Sequence, residues 1–186
     1  MTLDEFEHAE GEEGRLYELS RGVITVIDVP QPEHLAQLNA IRRQVFPYWD
    51  AHPNRIHTIA TSGECKILLA GLGSERHPDL AIYLASPPAH RGVADIWSVW
   101  IPEIVIEIVS PSSVHRDYVE KREEYLQFGV REYWIIDAEK QQMLVLRRSR
   151  GKWSERAVKP DEPYQCGLLP GFALDLAAVF RAAGEA

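Results

Sequence analysis

The stretch Ile104-Val105-Ile106-Glu107-Ile108-Val109 places one carboxylate inside an otherwise unbroken run of β-branched residues. A run of this composition predicts a strand that is covered on both faces, as in the centre of a layered sheet. A carboxylate in such a strand is strongly unfavourable unless a cation lies beside it. The sequence therefore predicts a buried cationic partner for Glu107.

The segment that follows predicts a helix from about Val114 to Phe128. Capping residues occupy Ser110-Pro111-Ser112-Ser113, and carboxylates in the first turns suit the positive end of the helix dipole. An apolar stripe with a 4-3-4-3 spacing would face the core. Its members are Val114, Tyr118, Lys121, Tyr125 and Phe128.

Lys121 therefore stands at a core-facing position of this helix. Gly129 ends the helix, and Glu132 to Asp137 predicts the next buried strand, parallel to the strand of Glu107. Lys121 would then point at the sheet that carries Glu107. Two alternatives stay open: the ammonium extends into water along its methylene stem, or the two residues form a buried ion pair without chemistry.

A second carboxylate, Asp79, stands at the start of an apolar strand in His77-Pro78-Asp79-Leu80-Ala81-Ile82-Tyr83-Leu84. Pro78 prevents ladder pairing before this point. An Asp beside a Pro is ordinarily a turn residue. Together with Glu107 and Lys121, however, Asp79 completes a set of two acids and one lysine.

This set resembles the PD-(D/E)XK nuclease fold and, more specifically, the Uma2 family of restriction-endonuclease-like proteins. The matching segments are Tyr17-Glu18-Leu19 with Gly22, Pro32-Glu33-His34, Pro78-Asp79-Leu80, Ile106-Glu107-Ile108-Val109-Ser110-Pro111-Ser112, Asp117 with Lys121 and Tyr125, Gly129-Val130-Arg131-Glu132-Tyr133-Trp134-Ile135-Ile136-Asp137, and Leu169-Pro170-Gly171-Phe172. In the nuclease pattern the lysine lies two residues after the acid on the same strand, where this chain has Val109. The family takes its lysine from the helix, where Lys121 lies.

The resemblance implies an α/β (α+β) fold with a mixed central sheet flanked by helices, preceded by an N-terminal helix and a hairpin. It also implies a DNA endonuclease that uses Mg²⁺ or Mn²⁺, hard cations that prefer oxygen ligands. Asp79 and Glu107 would hold the metal ion. Lys121 would orient the attacking water and offset charge in the transition state.

Three further residues are candidates for auxiliary roles. The resemblance makes Glu18 a candidate third metal ligand, although its alternating pattern alone predicts an exposed strand carboxylate. Tyr125 could position the lysine or a phosphate, and an aromatic residue on such a stripe is also typical of a core. Asp117 could pair with Lys121, or it could serve only the helix dipole.

Histidines and serines near these motifs are interpreted as structural. His34, His77 and His115 have no partners at metal-site spacing, and they are typical of turns and helix starts. The serines at 110, 112 and 113 are explained by helix capping, because the chain has no G-x-S-x-G nucleophile elbow.

The net charge of −8 argues against strong nonspecific DNA binding, for which lysine and arginine supply most of the affinity. The charge is uneven, because residues 1–20 hold seven acids whereas residues 121–159 hold ten lysines and arginines. Residues 147–152 predict a hairpin turn with a basic tip. Its candidate phosphate contacts are Arg147, Arg148, Arg150 and Lys152.

Length and composition predict one domain over residues 1–186. No apolar run is long enough to span a bilayer, and the acidic N-terminus is unlike a secretory signal. Cys65 and Cys166 are expected to be free thiols. The chain is therefore expected to be cytoplasmic.

The remaining elements can be placed roughly. A helix is expected near Leu3 to His8, a hairpin over Arg15 to Val29, a helix from Pro32 to about Tyr48 and a closing helix over Leu174 to Ala183. Further strands are expected near Ile67, Leu144 and Trp153. Residues 86–100 predict a loop in which Trp97 and Trp100 are lid residues or contacts to a second subunit.

The leading hypothesis is thus a metal-dependent DNA endonuclease. The alternative is a catalytically inactive nuclease-fold module that binds nucleic acid or a protein. A homodimer is a further expectation, and no membrane partner is expected.

Overall fold

The computed structural model describes residues 1–27, 29–89 and 95–184. Within these ranges the α-helices are α1 Leu3–Glu7, α2 Pro32–Ala51, α3 Lys121–Phe128 and α4 Leu176–Gly184. The strands are β1 Leu16–Ser20, β2 Val23–Ile27, β3 Thr58–Thr61, β4 Ile67–Leu69, β5 Ser74–Arg76, β6 Leu80–Tyr83, β7 Ile104–Ile108, β8 Glu132–Asp137, β9 Gln142–Ser149, β10 Lys152–Val158, β11 Tyr164–Gln165 and β12 Ala173–Leu174. The expected N-terminal helix and hairpin are confirmed.

The central sheet has six strands in the order β10-β9-β8-β7-β6-β3. Strands β7 and β8 are parallel and set Glu107 opposite Ile135. The other neighbours in this sheet are antiparallel. The predicted mixed central sheet, with a helix between its parallel strands, is therefore confirmed.

Both faces of the central sheet are covered. Ile106 and Trp134 belong to the core cluster that contains residues of α2 and α4. On the opposite face, Val105 and Tyr133 pack with Tyr125 of α3 and with residues of β4. Because side chains alternate along a strand, Glu107 points to the same face as Val105. This two-sided cover explains why all of β7 is buried.

A second sheet has four strands in the order β2-β1-β5-β4. Sequence analysis did not predict β3 or β5. Strand β5 reads Ser74-Glu75-Arg76, and all three residues are buried. A hydrophobic pattern could not have revealed this strand, because it contains no apolar residue.

The helix between β7 and β8 has the predicted extent but is not regular. Residues Arg116–Glu120 form a π-helical turn that leads directly into α3. Gly129 ends the helix with φ of 107°, as predicted from glycine's tolerance of positive φ. The wider turn rotates the residues before it relative to α3. The predicted stripe is consequently wrong at Val114, which is 39% exposed, whereas Asp117 is buried.

Trp97 and Trp100 lie on a short 3₁₀ turn or next to it. Trp100 packs 4.2 Å from the ring of Tyr83, and Trp97 stacks 5.7 Å from Trp100. Neither residue lines the cavity described below, and both roles, lid residue and contact to a second subunit, stay predictions. Part of the predicted loop, residues 90–94, lies outside the described residues.

Two further expectations concern the whole chain. In the part that the structure describes, no helix is both long enough and apolar enough to cross a bilayer. Cys65 and Cys166 are buried free thiols, as expected.

Candidate active site

Two carboxylates from neighbouring strands meet on the central sheet. Asp79 directly precedes β6, and the antiparallel pairing of β6 with β7 sets Leu80 opposite Ile106. The backbone amide of Asp79 lies 3.4 Å from Glu107 Oε2. Asp79 Oδ2 accepts a hydrogen bond of 2.7 Å from the amide of Ile108. The structure therefore brings the two predicted acids side by side.

Lys121, at the start of α3, reaches the same point from above the sheet. Its Nζ lies 3.0 Å from Glu107 Oε1 and 3.2 Å from Asp117 Oδ1. The Lys121 side chain is 6% exposed, so the alternative in which its ammonium extends into water is wrong. Lys121 is the buried cationic partner that the sequence of β7 required.

Several carboxylates surround the buried ammonium of Lys121. Burial raises the pKa of Glu107 to about 8, with Asp79, Asp117 and Glu18 adding to the effect and Lys121 opposing it. Burial alone would lower the pKa of Lys121, but Glu107 first, and then Glu18, Asp117 and Asp79, outweigh burial and raise that pKa. One ammonium thus lies among four carboxylates. Such a group of carboxylate oxygens suits a divalent cation.

His34 and Tyr125 hold the two acids from opposite sides. His34, in the first turn of α2, has its Nε2 3.1 Å from Asp79 Oδ1. Burial disfavours its charged form, yet the bond to Asp79 and the charge of that residue raise the pKa of His34. The Tyr125 hydroxyl donates a 2.6 Å hydrogen bond to Glu107 Oε1. Tyr125 is both a core residue and a positioning group for Glu107.

Glu18 does not lie on an exposed strand face, as its pattern alone predicted. It is 1% exposed. Its Oε1 accepts a 3.0 Å hydrogen bond from the amide of His77, and the same oxygen lies 3.8 Å from Lys121 Nζ. Burial alone would raise the pKa of Glu18, but the charges of Lys121 and Arg76 together outweigh burial, so the pKa of Glu18 is lowered. Glu18 therefore acts as a buried counter-ion to two cations.

Arg76 is the second of these cations, and it is fully buried. Its guanidinium contacts Glu18 at 3.1 Å, Glu120 at 3.0 Å and Glu124 at 2.6 Å. It also donates to Ser20 Oγ at 2.8 Å. One arginine from β5 thereby ties the N-terminal hairpin to the helix that carries Lys121.

Asp117 is 1% exposed, so the helix dipole alone does not explain it. Ser113 Oγ donates a 2.6 Å hydrogen bond to Asp117 Oδ2. The other oxygen, Oδ1, is close to the Lys121 ammonium but is not aligned for a hydrogen bond, and it has none with any described residue. This leaves one buried carboxylate oxygen without a donor. The proposed pairing of Asp117 with Lys121 is present in the structure.

A cavity of about 820 Å³ opens over these groups. Its lining combines the charged residues with apolar residues of the N-terminal hairpin and of the segment that leads into α2. Arg116 also lines the cavity, next to Asp117 in the chain. Its Nε is buried without a hydrogen-bond partner, and its guanidinium has no ion pair with any described residue. Arg116 is therefore a cation of the cavity that pairs with no carboxylate of the described residues.

The predicted hairpin turn with its basic tip forms, but it lies away from the cavity. Arg147 pairs across the sheet with Glu132, the first residue of β8, and binds its carboxylate at 2.9 Å. The acids of the site lie toward the other end of these strands. The tip's four basic residues do not line the cavity; they are Arg147, Arg148, Arg150 and Lys152. The structure does not bring them to the site.

Comparison with known proteins places this geometry in a family. A family model named Uma2 and described as "Putative restriction endonuclease" matches residues 3–177. The chain belongs to the Uma2 family. The match extends from α1 to the start of α4, so the matched range includes every residue of the candidate site described above.

The fold has a solved counterpart. A crystal structure from Anabaena variabilis, described as "a putative nuclease belonging to DUF820", is 19% identical to this Uma2 chain, with a TM-score of 0.77. The match covers 98% of this chain and 99% of that chain. At this identity the likeness establishes the fold alone. No curated protein matches the chain.

The resemblance predicted that the lysine comes from the helix, because Val109 stands where the wider nuclease pattern has it. Val109 lines the cavity as an apolar residue, and Lys121 brings its ammonium to the acids from the helix.

Sequence reasoning missed His34, Arg76 and Arg116. His34 was interpreted as a helix-start residue, because nothing in the local sequence links it to Asp79, 45 positions away. Arg76 lies in the polar strand β5. For Arg116 a signal existed: an arginine next to an acid on the helix that carries the lysine. The rings of His77 and His115 contact carboxylates, Glu75 at 3.0 Å and Glu120 at 3.8 Å, and His77 also lines the cavity.

Proposed function

We propose that the chain is a metal-dependent DNA endonuclease that hydrolyses phosphodiester bonds. The observation that carries this proposal is the meeting of Asp79, Glu107 and Lys121 in one cavity. Asp79 and Glu107 would hold Mg²⁺ or Mn²⁺, and Lys121 would assist the attacking water. Family membership supports the same reaction class, since the family is described by that activity.

The residues present fit a hard divalent cation. Its preferred ligands are carboxylate oxygens, and Mg²⁺ is commonly held by one or two carboxylates together with water and substrate phosphate. Among the hydrogen bonds of the described residues, Glu107 Oε2 has only the long contact of 3.4 Å with the amide of Asp79, so this oxygen can still bind a metal ion. Among the described residues no three His, Cys, Asp or Glu side chains form a ready metal cluster, so a third ligand role for Glu18 stays a prediction.

When bound, the ion would polarise the scissile phosphate and lower the pKa of a water molecule. The chain's own residues would do the rest. Asp79 is fixed by the amide of Ile108, and Glu107 is fixed by Tyr125, so neither carboxylate needs to rearrange. The Lys121 ammonium is placed to orient the nucleophile and to offset negative charge that develops on phosphorus oxygens.

The direct test compares metal-dependent cutting by the wild type, Asp79→Asn and Glu107→Gln. The wild type is expected to cut DNA with Mg²⁺ or Mn²⁺, and each variant is expected to lose about 100-fold or more in rate because a charged ligand is gone. Titration calorimetry with Mn²⁺ should show binding by the wild type and a large loss in both variants. Asp175→Asn, an exposed acid outside the cavity, is the matched control.

The same experiment separates the endonuclease from the alternative module. A wild type that binds DNA without cutting it, and that gives no heat with Mn²⁺, would identify an inactive nuclease-fold module. Cutting that survives in both Asp79→Asn and Glu107→Gln would contradict the assignment of these acids.

Arg116 is proposed as the group that holds the scissile strand's phosphate. Arg116→Ala is expected to raise KM for DNA about tenfold, because a charge-assisted hydrogen bond to phosphate is lost. The affinity for Mn²⁺ should not change. Arg148→Ala, on the basic tip, is expected to leave KM unchanged at the same ionic strength. Equal effects of the two substitutions would show that only the overall charge matters.

A further inference from the structure

One wall of the cavity is apolar. Leu16 lies opposite Ile27 in the N-terminal hairpin, and alternation along β1 places Leu16 on the same face as Glu18. Val29 and Pro30 continue this surface toward α2. We call these four residues the apolar wall. Leu16 is 48% exposed and Val29 is 57% exposed, so the wall is accessible rather than part of the core.

The charged wall, by contrast, is recessed. The Asp79 side chain is 15% exposed, and those of Glu107 and Lys121 are 3% and 6% exposed. A phosphodiester that reaches these groups must enter the cavity. The apolar wall lines the same cavity, on the hairpin that also carries Glu18, so the neighbouring sugar and base can contact it there.

An intact duplex does not match this shape. Its outer surface presents phosphates and sugars, whereas the apolar faces of its bases are stacked inside. Nonspecific binding to a duplex also requires many lysine and arginine contacts to the DNA backbone. Among the described residues that line the cavity, Lys121 is the one lysine and Arg116 is the one arginine. Lys121 already pairs with a carboxylate. The cavity therefore provides for about one phosphate and one apolar group rather than for a rigid double helix.

We infer that this site takes a nucleotide of an unpaired DNA strand. Its phosphate lies between Arg116 and the Asp79–Glu107–Lys121 group, and its base or sugar lies on the apolar wall. In an unpaired strand the faces of the bases are exposed, so the aliphatic residues of the wall can pack against a base or a sugar whatever the sequence. The inference rests on the proposed function, and it adds the substrate class.

The test compares three substrates of one sequence: a single strand, the perfect duplex, and a duplex with a central unpaired bubble. With Mn²⁺, the wild type is expected to cut the single strand with a kcat/KM at least about tenfold above that of the duplex. Cuts in the third substrate should fall within the bubble. Binding of the same three DNAs is measured by fluorescence anisotropy with Ca²⁺ in place of Mn²⁺.

A paired substitution tests the apolar wall. Leu16→Ser combined with Val29→Ser changes two exposed side chains, so the fold is expected to persist. KM for the single strand should rise about tenfold while kcat changes little, because base or sugar contact is lost and the reacting groups are not touched. Val23→Ser is the matched control, since Val23 is 65% exposed on β2 and does not line the cavity.

The outcomes distinguish this inference from the proposed function. Cutting of the duplex as fast as the single strand, or no change of KM in the paired variant, overturns the inference while the endonuclease stands. Preferential anisotropy binding of the single strand without any cutting supports the inference and refutes the endonuclease. Equal binding of all three DNAs without cutting overturns both.

Discussion

Replacing Lys121 by methionine is expected to lower the rate of DNA cleavage by about 1,000-fold, with KM changing much less. The methionine keeps most of the methylene stem but removes the ammonium that lies 3.0 Å from Glu107. Transition-state charge then has no cation at this position. The measurement is single-turnover cleavage with Mn²⁺ at saturating enzyme.

The matched control is Lys140→Met. Lys140 pairs with Asp137 at 2.7 Å, but its side chain is 50% exposed and lies outside the cavity. The Lys140→Met variant should cleave DNA at the same rate as the wild type. An active Lys121→Met enzyme would refute the proposed role of the lysine.

Loss of the lysine also leaves buried carboxylates without their cation, which costs about 3–5 kcal/mol in comparable buried pairs. A second variant separates folding from chemistry. Lys121→Met combined with Glu107→Gln removes both charges of the closest pair, so the free energy of unfolding should recover in part. Cleavage should remain absent, because recovered stability does not restore the reacting groups.

Replacing the buried Arg76 of β5 by methionine is expected to cause a large loss of stability. The fully buried guanidinium contacts Glu18, Glu120 and Glu124, and its removal leaves their charges uncompensated. The free energy of unfolding, measured by urea denaturation, should fall by about 3–5 kcal/mol. A fall in cleavage rate should accompany it, because Glu18 also contacts Lys121.

Arg21 provides the comparison, since it joins the same hairpin region to the same helix through Glu123 at 2.6 Å. Both side chains of that pair are at least half exposed. Arg21→Met should therefore cost less than about 1 kcal/mol. Arg76→Met combined with Glu124→Met should be more stable than Arg76→Met alone, because the buried carboxylate is removed with its partner. Equal losses in Arg76→Met and Arg21→Met would contradict the importance of burial.

The strand–helix–strand block from Ile104 to Asp137 was predictable because its signals are local. A β-branched run, a capped helix and a glycine stop each act within a few residues. The anomaly of one acid in β7 and one lysine on the helix stripe then implied their contact across 14 positions. The structure shows that contact, together with Asp79 beside Glu107.

The remainder depended on distant or irregular features. Strand β5 is polar and becomes buried only because Glu18 and Glu124, far away in sequence, neutralise Arg76. The π-helical turn has no periodic signature, so the stripe prediction failed at Val114. The role of Arg147 could not be foreseen, because its partner Glu132 depends on the register of β8 with β9.

The π-helical turn at Arg116–Glu120 has a consequence for how this helix can change over evolution. A turn with one surplus residue holds Asp117 inward and places Arg116 at the cavity, although the two are sequence neighbours. Deleting a single residue there would restore regular winding and turn one of these side chains away. Substitutions on the outer side of the turn should be accepted freely, whereas a change of its length should not.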